Sequence, residues 1–344
     1  MTDDNPRDPV NVAVIGAGGI ASSAHLPSLR EMEDVHVVAI CDILESRASE
    51  LAETFAIPRV YTLYRDMLEA ERDKLDAVFV LVEPSNLFDV TWHCLDAGFA
   101  VFMEKPPGLN LFQCESLASK SAEAGRILQV GFNRRHIPVV RRAKELLEEH
   151  TTINQVAGCF FKFGSGAFDH GGVPAFESDV IHVVDLVRWI AGGQAVAAAT
   201  VAGASDEAPL NRWSSVLRFD NGVTGIVTSN YRTGGRVHQF EIHGAGLSAY
   251  INLGFGTAAC EAVLLSHQGA VRYSLAARGA ESREVETIDG IELAGGDGFH
   301  RYYGFYFEDR HFIDCLRSGA EPETGIRDAV ESMKLARTIL AGTI

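Results

Sequence analysis

The tightest constraint on this chain lies near its N-terminus, where the apolar run Val12–Ile15 meets Gly16-Ala17-Gly18-Gly19-Ile20-Ala21. The run predicts a strand, and the glycines predict a tight turn opening into a helix. Gly16 would make the turn, Gly18 would let backbone approach a ligand, and small Ala21 would let helix pack closely on strand. The spacing is G-x-G-x-x-A, a form of the fingerprint that holds a dinucleotide pyrophosphate against a helix N-terminus. Gly16, Gly18, Gly19 and Ile20 are assigned to cofactor binding on this basis.

A six-residue motif is weak alone, and Asp42 strengthens it. Asp42 closes the next apolar run, Val35–Ile40, 21 residues beyond Ala21. A carboxylate there accepts hydrogen bonds from the ribose hydroxyls of NAD and repels the 2′-phosphate of NADP, so NAD is the expected cofactor and NADP the less favoured one. Arg47, five residues on, reads as a surface helix residue rather than a partner for that phosphate.

Further runs at Arg59–Tyr61, Ala77–Val82, Ala100–Met103 and Ile127–Val130 alternate with helical stretches such as Ser46–Phe55 and Phe88–Ala97. Near-continuous apolar strands separated by helices predict an α/β Rossmann domain, a doubly wound parallel sheet covered on both faces. With 344 residues the chain exceeds what one core usually serves, so a second domain is expected. The texture changes after Phe132: helices at Pro138–Glu149 and Glu177–Ala191, then mostly strands from Val196 to about Ile288. The Asp220-Asn221-Gly222 hairpin signal lies among them. Two helices, Tyr302–Arg317 and Gly325–Leu340, close the chain. The expected organisation is a disordered polar tail over residues 1–10, the Rossmann domain over 11–135, and an α+β domain over 136–344 with a large, mainly antiparallel open sheet.

A net charge of −16 argues against nucleic acid and anionic membranes as partners. The six cysteines show no Cys-x-x-Cys pair and no metal-ligand spacing, so no metal is expected, and the setting reads as reduced and cytoplasmic. No apolar run is long enough for a transmembrane helix.

Two places carry candidate chemistry. Glu104-Lys105-Pro106-Pro107 follows the run Ala100–Met103, so Lys105 stands at the C-terminal end of a strand, where open parallel sheets bind ligands. Beside a cationic nicotinamide its ammonium form would be disfavoured, moving it towards a usable base. Asp179, His182 and Asp185 recur at three-residue spacing in an otherwise apolar helix, one polar stripe that needs partners or a ligand. His182 would exchange a proton near neutral pH, with Asp179 orienting it.

The ensemble resembles the Gfo/Idh/MocA family of glucose–fructose oxidoreductase and inositol dehydrogenase relatives, and is most similar to a branch of virulence-factor-like oxidoreductases. The resemblance is carried by Gly16–Ala21, His25-Leu26-Pro27, Asp42, Glu104-Lys105-Pro106, Val130–Arg135, His182–Leu186 and the Phe219–Gly222 hairpin. It implies that Lys105, His182 and Asp179 are catalytic, with Glu104 and Lys105 beside the cofactor. It also implies a homo-oligomer, dimer or tetramer, through the C-terminal sheet. Many members place Asp four residues before the His, where this chain has Ser178. They also carry Thr-Pro and a His after the fourth strand, where this chain has Val82-Glu83-Pro84 and no His. The implied activity is hydride transfer between nicotinamide and a sugar, polyol or similar hydroxylated molecule, with Asn133, Arg134, Phe168, His170 and Asp185 as further substrate contacts. Two other activities fit the same fold: a glycosidase that recycles a tightly bound NAD, and a non-catalytic NAD(P)-binding sensor.

Overall fold

The glycine turn is built as its spacing predicts, and the sheet behind it follows. The computed structural model describes residues 9–164, 169–170, 173–205, 210–255, 258–267 and 282–343. In chain order the first elements are β1 (Val10–Ile15), a π turn (Ala21–His25), α1 (Leu26–Arg30), β2 (Val35–Cys41), α2 (Glu45–Phe55) and β3 (Val60–Tyr61). They continue through α3 (Tyr64–Ala70), β4 (Ala77–Val80), α4 (Pro84–Asp96), β5 (Ala100–Met103), α5 (Leu111–Ala124) and β6 (Leu128–Val130). All six strands run parallel in the order β3-β2-β1-β4-β5-β6. The order reverses between β1 and β4, the switch point beside which doubly wound sheets bind their ligands. The strands are apolar throughout, and Val12, Val14, Ile40, Phe79 and Phe102 form the centre of one core.

The chain then builds a second unit: α6 (Pro138–His150), β7 (Ile153–Phe163), the paired two-residue strands β8 (Asp169–His170) and β9 (Val173–Pro174), a π turn (Phe176–Val180) and α7 (Ile181–Ala191). After them come β10 (Ala195–Gly203), β11 (Arg212–Phe219), β12 (Thr224–Asn230), β13 (Arg232–Gly244), β14 (Leu247–Leu253), β15 (Cys260–His267), β16 (Ser282–Asp289) and α8 (Gly290–Leu293). An eight-stranded sheet results, ordered β10-β11-β12-β7-β13-β14-β15-β16, antiparallel except where β7 meets β12. Helix α7 packs on β7, and the fit is close: a Cβ on Gly158 of β7 would lie 2.6 Å from Val183. Strand β11 alternates exposed and buried residues along its length, the pattern of a sheet with one covered face.

Helices α9 (Phe299–Tyr302), α10 (Phe305–Ser318) and α11 (Ile326–Ala341) end the chain. The division into units departs from a simple cut near residue 135. Phe299–Glu331 belongs with Met1–Asn133, and the rest of α11 belongs with the second unit. The physical reason is burial: Phe312 and Ile313 of α10 are fully covered within the Rossmann core, an attachment that no local pattern announces. The N-terminal expectation also shifts, because Val10 is already a strand residue paired with Val35.

Candidate functional site

In the first unit the glycine turn is fixed from two sides. Gly16 has φ 105° and donates its N–H to the Cys41 carbonyl at 2.8 Å. A Cβ there would lie 2.5 Å from the Leu81 carbonyl oxygen, so only glycine fits. Gly18 and Gly19 are the opposite case, with nothing within 4 Å of a built Cβ. That open cradle is what close approach of a pyrophosphate requires. Ile20 is partly buried against the core, and the Gly19 carbonyl accepts from Ser22 and Ser23 at 3.0 and 2.7 Å.

Asp42 does more than its place in the sequence suggests. Its Oδ2 accepts the Ala17 N–H at 2.8 Å and its Oδ1 accepts the Leu44 N–H at 2.9 Å. The carboxylate therefore locks the glycine loop to the end of β2 and stays partly exposed beside the open cradle. These residues fit a dinucleotide. Arg47 is exposed on α2, as expected. Glu83 immediately precedes α4, two residues past the Leu81 carbonyl that Gly16 approaches.

Lys105 follows β5 directly and is half-buried, and its peptide bond to Pro106 is cis. Beneath it lies a buried charge cluster that the motifs did not reveal. Glu104 Oε2 accepts the Lys105 N–H at 3.1 Å, and Oε1 meets His25 Nε2 at 3.2 Å. The other imidazole nitrogen, Nδ1, contacts Asp309 of α10 at 2.9 Å. His25 and Asp309 are fully buried, with Phe79, Phe102 and Phe305 rings around the imidazole. Burial opposes a charge on His25, but Asp309 and then Glu104 outweigh it and push the imidazole up to about 10. Burial likewise raises Asp309 above its ordinary value. Glu104 ends below its ordinary value, because the His25 hydrogen bond and the Lys105 charge overcome its desolvation. In the sequence His25 stands out only through the family resemblance, and Asp309 does not stand out. The signal was present: Phe305, Glu308, Asp309, Phe312 and Ile313 make a helical stripe with two acids on its apolar face.

In the second unit the residues of the expected stripe Asp179–His182–Asp185 fall on two successive elements. Asp179 lies in the π turn and His182 in α7, and a π turn spaces residues differently from the α-helix the three-residue rule assumes. Asp179 pairs with Lys162, at the end of β7, and its Oδ2 accepts the Tyr231 hydroxyl at 2.7 Å. Burial and then the Asp179 charge push the Tyr231 phenol far up, so it stays a donor. His182 is 8% exposed at the first turn of α7.

Asp185, expected as a substrate contact, is 1% exposed and engaged elsewhere. Arg135 grips both of its oxygens, and Ser332 Oγ donates to it at 2.6 Å. It is a structural ion pair, and we leave it out of the substrate set. Asn133 is also buried, its amide donating to the Tyr303 carbonyl at 2.8 Å. Arg134 is 2% exposed, with its guanidinium 4.6 Å from the Phe160 ring centroid. Phe168 lies outside the described residues, as does the side chain of His170; the backbone of His170 lies in β8.

Two family models match the chain. Residues 10–132 match an oxidoreductase family with an NAD-binding Rossmann fold, and residues 171–249 match the C-terminal domain of the same family, together more than half of the sequence. The chain belongs to the Gfo/Idh/MocA oxidoreductase family. YceM of Salmonella typhimurium is 30% identical over 186 residues, 54% of this chain and 58% of that protein's length. The scyllo-inositol 2-dehydrogenase (NAD(+)) of Bacillus subtilis is 24% identical over 338 residues, 95% of this chain and 92% of that one. Among solved structures, a dehydrogenase from Chromobacterium violaceum superposes with a TM-score of 0.84 at 20% identity, covering 98% of this chain and 96% of the other. That likeness shows a shared two-domain fold. No helix among the described residues is long and apolar enough to cross a membrane.

Proposed function

We propose that this family member transfers a hydride between NAD and a carbinol carbon of a sugar, polyol or similar small hydroxylated molecule. One observation carries the cofactor half: Asp42 caps the loop whose Gly18 and Gly19 stand open, so a ribose acceptor and a phosphate cradle share one turn. The substrate class is supported by the full-length relative whose name is an inositol dehydrogenase specific for NAD(+). NAD, when bound, supplies the hydride acceptor or donor at its nicotinamide ring.

The chain's own residues would handle the proton. Lys105, at the end of β5, and His182, at the start of α7, are the proposed acid–base residues for the substrate hydroxyl. Glu104 holds the Lys105 backbone in place. Asp179 is proposed to orient His182, and it also holds Lys162 and Tyr231 near the start of α7.

A cytoplasmic setting is supported by six cysteines that all remain free thiols. A homo-oligomer is supported by Val196, Val201 and Val216, exposed on the neighbouring strands β10 and β11.

Incubation with NAD and a panel of inositols, sugars and sugar acids tests the reading through NADH absorbance. Accumulating NADH is the expected result. Release of free sugar from glycosides with no NADH build-up would overturn it in favour of a recycled cofactor.

A further inference from the structure

The second unit gathers positive charge in one place. Lys162 ends β7, Arg236 lies on β13, and Arg134 precedes α6. The three are organised by aromatic rings. The Arg134 guanidinium sits 4.6 Å from the Phe160 centroid, and Lys162 Nζ sits 5.4 Å from the same ring. His238 stacks on Phe160 at 3.9 Å and meets Phe255 edge-on at 4.5 Å, while Arg236 lies 3.8 Å from Phe255. Rings in this arrangement attract cations through their faces, and Asp179 pairs with Lys162.

We propose that Arg134, Lys162 and Arg236 bind an anionic group on the substrate, which makes the substrate class a sugar acid or similar polyhydroxylated carboxylate rather than a neutral sugar.

Through these rings three cations converge on one imidazole. Burial first, and then Arg134, Arg236 and Lys162, push that imidazole far below its ordinary value, so a fourth positive charge is excluded there. Asp179 ties Lys162 to the turn that leads into α7, three residues before His182. An anion held by the cluster therefore sits near the residue proposed to take the hydroxyl proton. Arginine suits a carboxylate because its fork binds both oxygens, and a buried fork such as Arg134 is already desolvated. Phosphate shares this chemistry, so the test includes it.

The proposal rests on the hydride-transfer reading for its meaning but not for its test. Calorimetric titration of the whole protein would compare D-gluconate with D-glucitol, D-glucuronate with D-glucose, and glucose 6-phosphate with D-glucose. At least one carboxylate should bind about tenfold tighter than its neutral partner. That preference should be lost in Lys162→Met and in Arg236→Met, the latter at an exposed position. Preference for glucose 6-phosphate alone would overturn the carboxylate assignment. Equal affinity within every pair, absence of binding at millimolar concentration, or a preference that survives both variants would overturn the anion site itself. Selective carboxylate binding with no NADH from any compound would leave this site standing and remove the hydride-transfer reading instead.

Discussion

His25 Nδ1 lies 2.9 Å from Asp309 Oδ1, a contact that joins the turn after β1 to α10 across 284 residues of chain. Through Nε2 the same ring reaches Glu104, the residue before Lys105. A charged imidazole thus ties the turn after the glycine loop, the end of β5 and α10 into one buried knot.

The knot makes stability depend on pH. His25 is held up to about 10 in the folded state, above its ordinary value of 6.5. Its contribution is complete below the unfolded value and is lost as pH rises through the folded one. The urea midpoint should therefore fall between about pH 7 and about pH 10, and His25→Gln should flatten that slope. Asp309→Ala, which leaves an imidazolium short of a partner, should cost about 3–5 kcal/mol. An unchanged slope in His25→Gln would mean that the ring is neutral.

Gly16 and Gly18 separate folding from binding. Gly16→Ala puts a Cβ 2.5 Å from the Leu81 carbonyl at a φ of 105°, so it should destabilise the protein and abolish NAD binding. Gly18→Ala meets nothing in the protein, so stability should stay within about 0.5 kcal/mol while NAD affinity drops about tenfold or more. Thermal melts paired with NAD titrations read both.

Asp42 should set the choice of cofactor. Asp42→Asn keeps an acceptor for the Ala17 N–H but removes the charge that repels a 2′-phosphate. The ratio of NAD to NADP affinity should fall about tenfold or more. A ratio unmoved by the change would shift the specificity determinant elsewhere.

The two acids of the α7 region should behave oppositely. Asp185→Asn breaks a pair with Arg135 in which both side chains are 1% exposed, and should cost about 3–5 kcal/mol. Asp179→Asn acts on a partly exposed pair with Lys162, so its stability cost should be about 1 kcal/mol while turnover collapses. Denaturation and steady-state rates on the two variants distinguish these outcomes.

What the sequence made legible follows from which interactions are local. Strand Ala100–Met103 and the turn at Gly16 were readable because apolar runs and glycine spacing are local signals. Helix α7 was readable in outline, but its entry through a π turn was not, because one extra residue per turn leaves no trace in hydrophobic periodicity. Asp179 there meets Lys162 and Tyr231, two partners that the spacing did not announce. Asp185 looked functional because polar spacing shows that a buried group needs a partner without showing which. Its partners, Arg135 and Ser332, come from 50 residues before it and 147 after it. The return of α10 to the Rossmann core is equally non-local, and Asp309 came with it.

In the proposed reaction Lys105 and His182 move the proton that accompanies hydride transfer. The most direct test of that role is NADH formation by wild type, Lys105→Met and His182→Asn on the best substrate of the panel, with NAD affinity measured on each. Both variants should bind NAD as wild type does and turn over about a hundredfold more slowly or worse. Wild-type rates in either variant, or tight NAD binding with no NADH from any substrate, would contradict it.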